Sequence, residues 1–524
     1  MARRDEKDSD GRRTRTVAGD GHRRHAPYAQ GARPVRAAAA EAPRPARAGR
    51  PRDAPLGQHL RRRLPRRGGS LRSRAAVIDE DGTLTFEELD RRSNALARAL
   101  GADGVGEGDT VAVLCRNHRG FVETTAALAK LGADALFLNT GSAAPQLLEV
   151  MQRDGATTIV HDDEFAPLIA DGGPARRVVA SGDGDGAPTI DELVAGTDDS
   201  PPPAPSRPGR TIILTSGTTG TPQGAVRAQS SSIAAGVSLL DRIPYRDGET
   251  AVIAAPLFHA WGFGNLAVGL LLGGTAVLRR RFEPDDTLAM IARHRAAALV
   301  AVPVMLQRIL ELPAEARRRH DTSSLRIVPL SGSAIPGLLA PRFMEEFGNC
   351  VYNLYGSTEI GWATIATPGE LWEEPSTAGR PPQGTTVKIV DADGDEVPVG
   401  TTGRIFVRNE IHFLGYSGGG TKESLDGMMS TGDTGHVDAS GLLFVDGRDD
   451  EMIVSGGENV YPREVEHLLE LHPAVADVAV VGVPDDEFGQ RLKAFVVLRS
   501  SVTVTSDEIR SHVRGEPRPS QGAP

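Results

Sequence analysis

The stretch from Thr215 to Ala225 constrains this chain more than any other, because a buried strand leads into a loop of glycines and small hydroxyls. The strand is the apolar run from Thr211 to Leu214. Glycines let the backbone approach a ligand closely and turn its N–H groups toward it, and hydroxyls add hydrogen-bond donors. The residues of this loop are Thr215, Ser216, Gly217, Thr218, Thr219, Gly220, Thr221, Pro222, Gln223 and Gly224. The pattern predicts a polyphosphate-binding loop, although a plain Ser/Thr/Gly linker would share its composition. No Gly-Lys-Ser/Thr closes it, so it is not a Walker A loop.

Composition limits the class of protein. A chain of 524 residues can bury a large core and is long enough for more than one domain. Two cysteines, Cys115 and Cys350, exclude a disulfide scaffold and fit a reducing cytosol. The longest apolar stretch, Ala267 to Leu278, is shorter than the roughly 18 residues that span a bilayer. We therefore expect a soluble cytoplasmic protein without a transmembrane segment, and the sequence carries no signal for its oligomeric state.

The first part of the chain differs from the rest. Residues 1–74 are rich in Arg, Pro, Ala and Gly and poor in aliphatic side chains, so they cannot offset the entropy lost on folding. We expect this segment to be disordered. A basic arm for nucleic acid and an out-of-frame or wrongly started translation are two further explanations. Since the net charge of the whole chain is −10, the remainder is more acidic than the total implies, which argues against nucleic acid as its partner.

From residue 75 onward, short apolar runs of strand length alternate with helical patterns, which predicts a layered α/β domain with a largely parallel sheet. Thr85 to Glu88 is typical of a capping box at a helix start. From Thr385 the pattern changes to short strands with glycine turns, which indicates a small β subdomain. We predict a large domain over 75–449, a small incomplete α+β domain over 450–513, with Ser506 capping its last helix, and a disordered tail over 514–524.

Two further loops follow predicted strands directly. Ser331 to Gly337 comes after the run Ile327 to Leu330, and Tyr355 to Glu359 comes after Cys350 to Leu354. In open α/β sheets, ligands bind beyond the carboxyl ends of the strands, so both loops are expected to contribute to one site. Each could also be an ordinary strand-to-helix turn, with Glu359 merely favouring a helix N-terminus.

The order of these stretches closely resembles that of the ANL adenylating enzymes, which include acyl-CoA synthetases, non-ribosomal adenylation domains and luciferases. The resemblance covers about residues 75 to 513 and is strongest to fatty acyl-CoA synthetases over Pro256–Gly264 and Gly447–Pro462. It implies two steps. A carboxylate attacks ATP in the presence of Mg²⁺ to give acyl-AMP and pyrophosphate, and the thiol of CoA then displaces AMP. Positioning and charge stabilisation carry such a reaction.

The resemblance also implies a role for individual residues. The loop from Thr215 to Gly224 would bind the phosphates, and Gly332, Ser333 and Ala334 would flank the adenine and the acyl group. Tyr355 would stack on the adenine beside Gly356 and Ser357, Thr358 would bond the phosphate, and Glu359 would hold Mg²⁺. Asp433, in Ser430–Asp433, would bind the ribose hydroxyls, and Arg448 the nucleotide. Asp450 would be the hinge between the domains, Gly456 and Gly457 would line the pantetheine channel, and His259 would gate the acid.

Several residues have an ordinary structural alternative. A lone histidine beside aromatic residues is often part of a core, which leaves His259 evenly balanced between a core role and a gating role. Asp433 could be a turn residue capping local N–H groups. Lys493 precedes a predicted strand and matches no catalytic motif.

Two departures from the family pattern predict a weak or inactive enzyme. The loop lysine of the family is Gln223 here, and the terminal Gly-Lys motif of the small domain is absent from residues 515–524. Charge-assisted hydrogen bonds are about twice as strong as neutral ones. The apolar run Leu257–Phe263 favours a medium- or long-chain fatty acid as substrate. The alternatives are a catalytically inactive protein that binds a nucleotide or acyl-adenylate, and an adenylating enzyme for another carboxylic acid, including one that loads a carrier protein.

Overall fold

The computed structural model describes residues 71–184, 186–215, 223–227, 234–411, 413–449, 453–455, 458–460, 462–485, 489–499, 502 and 504–513. Nearly all of the N-terminal segment predicted to be disordered, and the predicted tail, lie outside these residues.

The strands, in chain order, are β1 (Ala75–Asp79), β2 (Gly82–Thr85), β3 (Thr110–Leu114), β4 (Asp134–Phe137), β5 (Ala156–Asp162), β6 (Arg176–Ser181), β7 (Thr211–Thr215), β8 (Gln223–Arg227), β9 (Thr250–Ile253), β10 (Thr275–Leu278), β11 (Ala298–Val300), β12 (Val328–Leu330), β13 (Val351–Tyr355), β14 (Thr364–Ala366), β15 (Thr386–Val390), β16 (Gly403–Arg408), β17 (Phe413–Tyr416), β18 (Ser424–Leu425), β19 (Met428–Val437), β20 (Leu443–Arg448), β21 (Ile453–Ser455), β22 (Glu458–Val460), β23 (Val475–Asp485) and β24 (Gly489–Leu498).

The α-helices are α1 (Phe86–Ala102), α2 (Arg119–Leu131), α3 (Ala144–Arg153), α4 (Ile190–Val194), α5 (Ala234–Arg242), α6 (Ala260–Leu271), α7 (Pro284–His294), α8 (Pro303–Glu311), α9 (Ala314–Arg318), α10 (Leu339–Phe347), α11 (Pro368–Glu373), α12 (Pro462–Glu470) and α13 (Ser506–Val513). Short 3₁₀ helices cover Leu71–Ser73 and Asp163–Leu168. Among the described residues, every helix is too short or too polar to cross a membrane.

Two mainly parallel sheets form the centre of the molecule. One has the strand order β17-β8-β7-β4-β3-β5-β6, in which β8 and β17 run antiparallel to their neighbours. The other has the order β11-β9-β10-β1-β2. Single bridges from Ala298 to Ile327 and from Ala301 to Leu330 connect its β11 edge to the sheet β12-β13-β14.

Helices cover both sheets, and this explains the continuous apolar strands. In β3, Val111 and Val113 belong to the core shared by the two sheets, whereas Ala112 and Leu114 belong to a cluster beneath α3. Successive side chains of a strand point to opposite faces, so a strand covered on both faces is apolar throughout. The predicted α/β architecture with a large N-terminal domain and a smaller C-terminal domain is confirmed.

Local signals account for much of this architecture. Thr85 and Glu88 form the predicted capping box of α1, with Glu88 N donating to Thr85 Oγ1 at 3.1 Å and Thr85 N donating to Glu88 Oε2 at 2.8 Å. Cys115 and Cys350 are buried free thiols, as expected for packed cysteines, and burial raises the pKa of both.

The predicted β subdomain is the antiparallel sheet β15-β16-β19-β18, with β20 paired to β19. Its strand β19 contains the Ser430–Asp433 motif, so Asp433 lies within a strand and not in a turn.

The C-terminal elements combine a hairpin of β23 and β24 with α12 and α13. Val480 N donates to Glu466 Oε1 at 2.9 Å, which ties the hairpin to α12. Two local predictions were wrong here. Thr505, not Ser506, caps α13. Thr505 N donates to the Glu508 carboxylate, and Glu508 N donates to Thr505 Oγ1. Lys493 lies inside β24, opposite Val481, and not before the strand.

Candidate active site

Tyr355 and Asp433 come from different sheets and meet directly. Tyr355 is the last residue of β13. Its hydroxyl donates to Asp433 Oδ2 at 2.5 Å. Burial, followed by the charge of Asp433, raises the pKa of Tyr355 well above its usual value, so the phenol stays protonated and remains a donor. The structure therefore places together the two residues predicted to hold the adenine and the ribose.

Arg448 completes this group. It ends β20 and lies opposite Asp433 in the β19–β20 register. Arg448 Nε is 3.6 Å from Asp433 Oδ1, so the carboxylate faces a phenol on one oxygen and a guanidinium near the other. Each carboxylate oxygen has two lone pairs, which leaves acceptor capacity for the hydroxyls of a ribose.

Glu359 is buried in the loop after β13, with 6% of its surface exposed. Ser357 Oγ donates to its Oε2 and Tyr416 Oη donates to its Oε1, each at 2.8 Å. Burial raises the pKa of Glu359, but these two hydrogen bonds and the positive charge of Lys422 outweigh it, so the pKa is lowered and the group is a carboxylate at neutral pH.

This environment fits a magnesium ligand. Mg²⁺ is usually held by one or two carboxylates together with substrate phosphates and water. Glu359 is ionised, and each of its oxygens keeps a lone pair beside the hydrogen bond it accepts. Within the described ranges, the group of His, Cys and acidic residues close enough to bind a metal by themselves is Cys115, His118 and Asp162, which lies elsewhere in the buried core.

Part of the predicted phosphate loop is described. Thr215 ends β7 and pairs with Gln223, the first residue of β8, and Thr215 Oγ1 donates to the carbonyl of Gln223 at 3.2 Å. The loop thus connects two antiparallel strands. The predicted ligand-binding residues Ser216, Gly217, Thr218, Thr219 and Gly220 lie outside the described residues, as do Asp450, Gly456 and Gly457.

Packing also explains why position 224 is a glycine. A Cβ at this position would lie 2.6 Å from Ile212 Cγ2 and 2.6 Å from Ser417 Oγ. Ser417 N donates to the carbonyl of Gly224 at 2.8 Å, at the end of the β17–β8 ladder. Strand β17 therefore lies directly against β8, the strand that follows the predicted phosphate loop.

Tyr416 links the loop to Glu359, and sequence reasoning missed it. It pairs with Ala225 in the β17–β8 ladder while its hydroxyl reaches Glu359. The tyrosine precedes the run Ser417-Gly418-Gly419-Gly420-Thr421-Lys422, a second segment of glycines and small hydroxyls with a lysine at its end. That composition is the signal that could have pointed to it.

The remaining predicted nucleotide-binding residues lie at strand ends. Gly332, Ser333 and Ala334 are exposed just beyond β12, the neighbour of β13. Thr358 is half-buried in the loop that carries Glu359. Gly356 has no room for a side chain, since a Cβ would lie 2.1 Å from the carbonyl oxygen of Gly361.

The aromatic stretch after β9 contributes side chains to the core. Leu257 and Phe258 are buried in the core shared by the two sheets. Phe263 packs against Phe137 at 5.0 Å between ring centroids. These side chains pack in the core, so the structure leaves the acid-binding role of Leu257–Phe263 a prediction.

His259 is exposed at the start of α6. Partial desolvation lowers its pKa below 6.5, so the ring is neutral at pH 7. Trp261 Nε1 donates to the carbonyl of Ala301, just beyond β11, at 3.0 Å. His259 and the half-buried Trp261 are thus the members of the stretch at the carboxyl ends of β9 and β11.

A cavity of about 360 Å³ opens beside Asp433. Its lining includes Arg404, Lys422, Glu423, Gly432, Arg448 and Asp449. Arg404 forms ion pairs with both Glu423 and Asp449. The cavity is therefore strongly charged and lies next to the proposed ribose-binding carboxylate.

Comparison with known proteins agrees with this geometry. Residues 66–417 match the family described as AMP-binding enzyme, and residues 464–520 match the AMP-binding enzyme C-terminal domain. Feruloyl-CoA synthase of Amycolatopsis sp. is 35% identical over 459 residues, which cover 86% of this chain and 91% of that protein. The fatty acid–[acyl-carrier-protein] ligase ScoC of Streptomyces coeruleorubidus is 33% identical, over 80% of this chain and 83% of its own.

Solved structures show the same fold. The anthranilate CoA ligase AuaEII in complex with anthranoyl-AMP has a TM-score of 0.77 at 26% identity, covering 88% of this chain and 89% of its own. The o-succinylbenzoate CoA synthetase of Bacillus subtilis with its acyl-adenylate intermediate has a TM-score of 0.75 at 29% identity, covering 88% and 92%. With two matching family regions and relatives aligned over most of their length, the chain belongs to the AMP-binding enzymes of the adenylate-forming ANL superfamily.

Proposed function

We propose that this chain is an AMP-forming acid–thiol ligase that activates a carboxylic acid with ATP and transfers the acyl group to CoA. The observation that carries the proposal is the link between two groups of residues. Tyr355, Asp433 and Arg448 form a nucleoside-facing group, and Glu359 with Tyr416 forms a phosphate-facing group beside the loop at Thr215 and Gln223. Tyr355 ends β13 and Glu359 lies in the loop that follows it, so the two groups adjoin at one strand end, as a nucleotide that runs from ribose to phosphates would require.

In the first step, an oxygen of the substrate carboxylate attacks the α-phosphorus of ATP, and the bond to pyrophosphate breaks. Asp433 accepts hydrogen bonds from the ribose hydroxyls, and the ring of Tyr355 offers a stacking surface for the adenine. Hydrogen bonds to the phosphates come from the loop Thr215–Gly224 and from Thr358. The part of the site that surrounds the adenine is formed by Gly332, Ser333, Ala334, Gly356 and Ser357. Glu359 would hold Mg²⁺, which neutralises phosphate charge when bound.

In the second step, the sulfur of CoA attacks the acyl carbonyl carbon and AMP leaves. We assign Asp450 as the hinge for this step, and Gly456 and Gly457 as part of the channel for the pantetheine arm. We place the boundary between the domains at residues 449 and 450, with the small domain over 450–513. The matched family regions, which end at residue 417 and resume at residue 464, are compatible with that boundary.

For the acid, we propose an apolar carboxylic acid that enters beside His259 and Trp261. A medium- or long-chain fatty acid is the first candidate, supported by the apolar sequence after β9 and by the similarity to a fatty acid–[acyl-carrier-protein] ligase. An aryl acid is the second. The similarity to feruloyl-CoA synthases favours it, as does the fact that Leu257, Phe258 and Phe263 fill the core and leave little of the stretch for a long tunnel wall.

The test is a substrate panel read by pyrophosphate release, with ferulate, benzoate, decanoate, palmitate, acetate and free amino acids. We expect turnover with the apolar acids and CoA-thioester as the final product. The Asp433→Ala variant should lose nearly all nucleotide affinity, whereas Asp393→Ala, which removes an exposed turn carboxylate, should retain it. A preference for acetate or amino acids would contradict the proposed acid, and equal ATP affinity in both variants would remove Asp433 from the site.

A further inference from the structure

Lys422 reaches the site through a tight glycine turn. Gly419 N donates to the carbonyl of Tyr416 at 2.9 Å, and Tyr416 N donates to the carbonyl of Gly420 at 3.1 Å. Gly419 and Gly420 have φ of 90° and 89°, the left-handed region that glycine adopts without strain. The chain therefore reverses directly after Tyr416, the residue that bonds Glu359.

The ammonium group of Lys422 is held beside β19. Its Nζ donates to the carbonyl of Thr431 at 2.7 Å. An ammonium group has three N–H donors, so this bond orients the group while donors remain for a ligand.

Two cations converge on Gly432. A Cβ built on Gly432 would lie 3.4 Å from Lys422 Nζ and 3.5 Å from Arg448 Nη2. Both side chains line the cavity of about 360 Å³ beside Asp433. The acidic residues around this cavity pair with Arg404 or lie beside Arg448, whereas no described carboxylate lies within ion-pair distance of Lys422. The arrangement is thus suited to an anionic ligand.

Lys422 is connected to both sides of the site. Its turn begins at Tyr416, whose hydroxyl donates to the proposed magnesium ligand Glu359, and its Nζ lies beside Gly432, the neighbour of the proposed ribose acceptor Asp433. In a nucleotide, the group between ribose and metal is the phosphate chain. The side chain at position 223, where the phosphate loop of the family has a lysine, is a neutral amide here.

From this geometry we infer that Lys422 binds the phosphates of the nucleotide and supplies positive charge that Gln223 does not bring. The inference rests on the proposed function for the identity of the nucleotide. By this inference, the positive charge that faces the phosphates comes from the glycine turn after β17 and not from the loop after β7.

The test compares Lys422→Gln and Lys422→Arg with Lys388→Gln, a matched control that removes an exposed lysine of β15 paired with Glu396. Titration calorimetry on the full chain measures affinity for ATP, AMP and adenosine. Hydrogen bonds to charged groups contribute about 1.5–3 kcal/mol, so Lys422→Gln should weaken ATP and AMP roughly tenfold to a hundredfold. Adenosine affinity should be unchanged. Lys422→Arg should restore much of the ATP affinity, and Lys388→Gln should resemble the unmodified protein.

An equal loss of adenosine affinity would show that Lys422 only maintains the structure around β19, and would overturn the inference. A loss confined to the KM for CoA would assign the cation to the thiol acceptor and overturn it too. If ATP binding depends on Lys422 as expected but no acid yields an adenylate, the proposed function fails while the inference stands.

A second arm tests the relation to Gln223. The variant Gln223→Lys places a charge in the loop, so Lys422→Gln should cost less ATP affinity in that background than in the unmodified chain. Strictly additive effects would show that the two positions bind separate groups, and would contradict the idea that Lys422 acts in place of a loop lysine.

Discussion

Tyr355, Glu359 and Asp433 lie in a network of hydrogen bonds that joins β13, β17 and β19, whereas the aromatic stretch after β9 gives most of its side chains to the hydrophobic core. In the first region, Glu359 accepts a hydrogen bond from Tyr416, 57 positions away, and Asp433 accepts one from Tyr355, 78 positions away. In the stretch after β9, apolar packing holds most side chains in place, and His259 is exposed at the start of α6. This difference fits the proposed roles, in which the first region supplies fixed charge to the nucleotide and the second admits the acid.

Among the variants of the two regions, removal of the charge on Glu359 should lower the rate of adenylate formation the most. Glu359→Gln keeps the shape of the side chain but removes a carboxylate that faces the phosphates, so we expect the rate of adenylate formation to fall about 10²–10³-fold. Pyrophosphate release measures it. The control Glu345→Gln removes an exposed carboxylate of α10 and should change nothing. Similar rates in both variants would show that Glu359 has only a structural role.

Gly224→Ala should separate packing from ligand binding at the phosphate loop. The added Cβ would lie 2.6 Å from Ile212 Cγ2, in the buried cluster beneath α3, and forced overpacking of this kind costs about 1–3 kcal/mol. The melting temperature should therefore fall, together with activity. Gly369→Ala, where a Cβ meets nothing within 4 Å, should leave the melting temperature unchanged or slightly raised. An unchanged melting temperature in Gly224→Ala would mean that β8 and β17 do not pack as described.

Tyr416→Phe should have a moderate effect with a distinct pH signature. It removes one donor to Glu359, and hydrogen bonds to charged groups contribute about 1.5–3 kcal/mol, so kcat/KM should fall roughly tenfold or more. Loss of a donor to a carboxylate raises its pKa. The pKa of Glu359 is lowered in the unmodified protein, so the acid limb of the pH–rate profile should move to higher pH in the variant.

The Ser357→Ala variant removes the donor to the other oxygen of Glu359 and should shift the acid limb in the same direction. A profile that keeps its acid limb in both variants would show that this limb does not report Glu359.

The smallest effect is expected on the acid side. His259→Ala changes a side chain that is exposed at the start of α6 and whose pKa is lowered by partial desolvation, so we expect a few-fold change in kcat/KM for the acid and an unchanged KM for ATP. His294→Ala, at the end of α7, is the matched control. A large increase in the KM for ATP would place His259 on the nucleotide side and remove the distinction between the two regions.

Much of the fold could be predicted from the sequence, because its signals are local. Apolar runs define strands covered on both faces, the Thr85 and Glu88 pair defines a helix start, and glycines after a strand predict a loop near a ligand. These features depend on residues a few positions apart, so no knowledge of the tertiary structure is needed.

Only the tertiary structure decided which distant side chains meet. The Tyr416 hydroxyl reaches Glu359 across 57 positions, and that of Tyr355 reaches Asp433 across 78. Leu257 and Phe258 could not be assigned to core or pocket from sequence, since an apolar side chain serves either equally well until the facing sheet is in place. The glycine-rich run before Lys422 is a local signal, but it does not say what the lysine contacts. Only the structure brings the carbonyl of Thr431, on β19, and the guanidinium of Arg448, on β20, beside it.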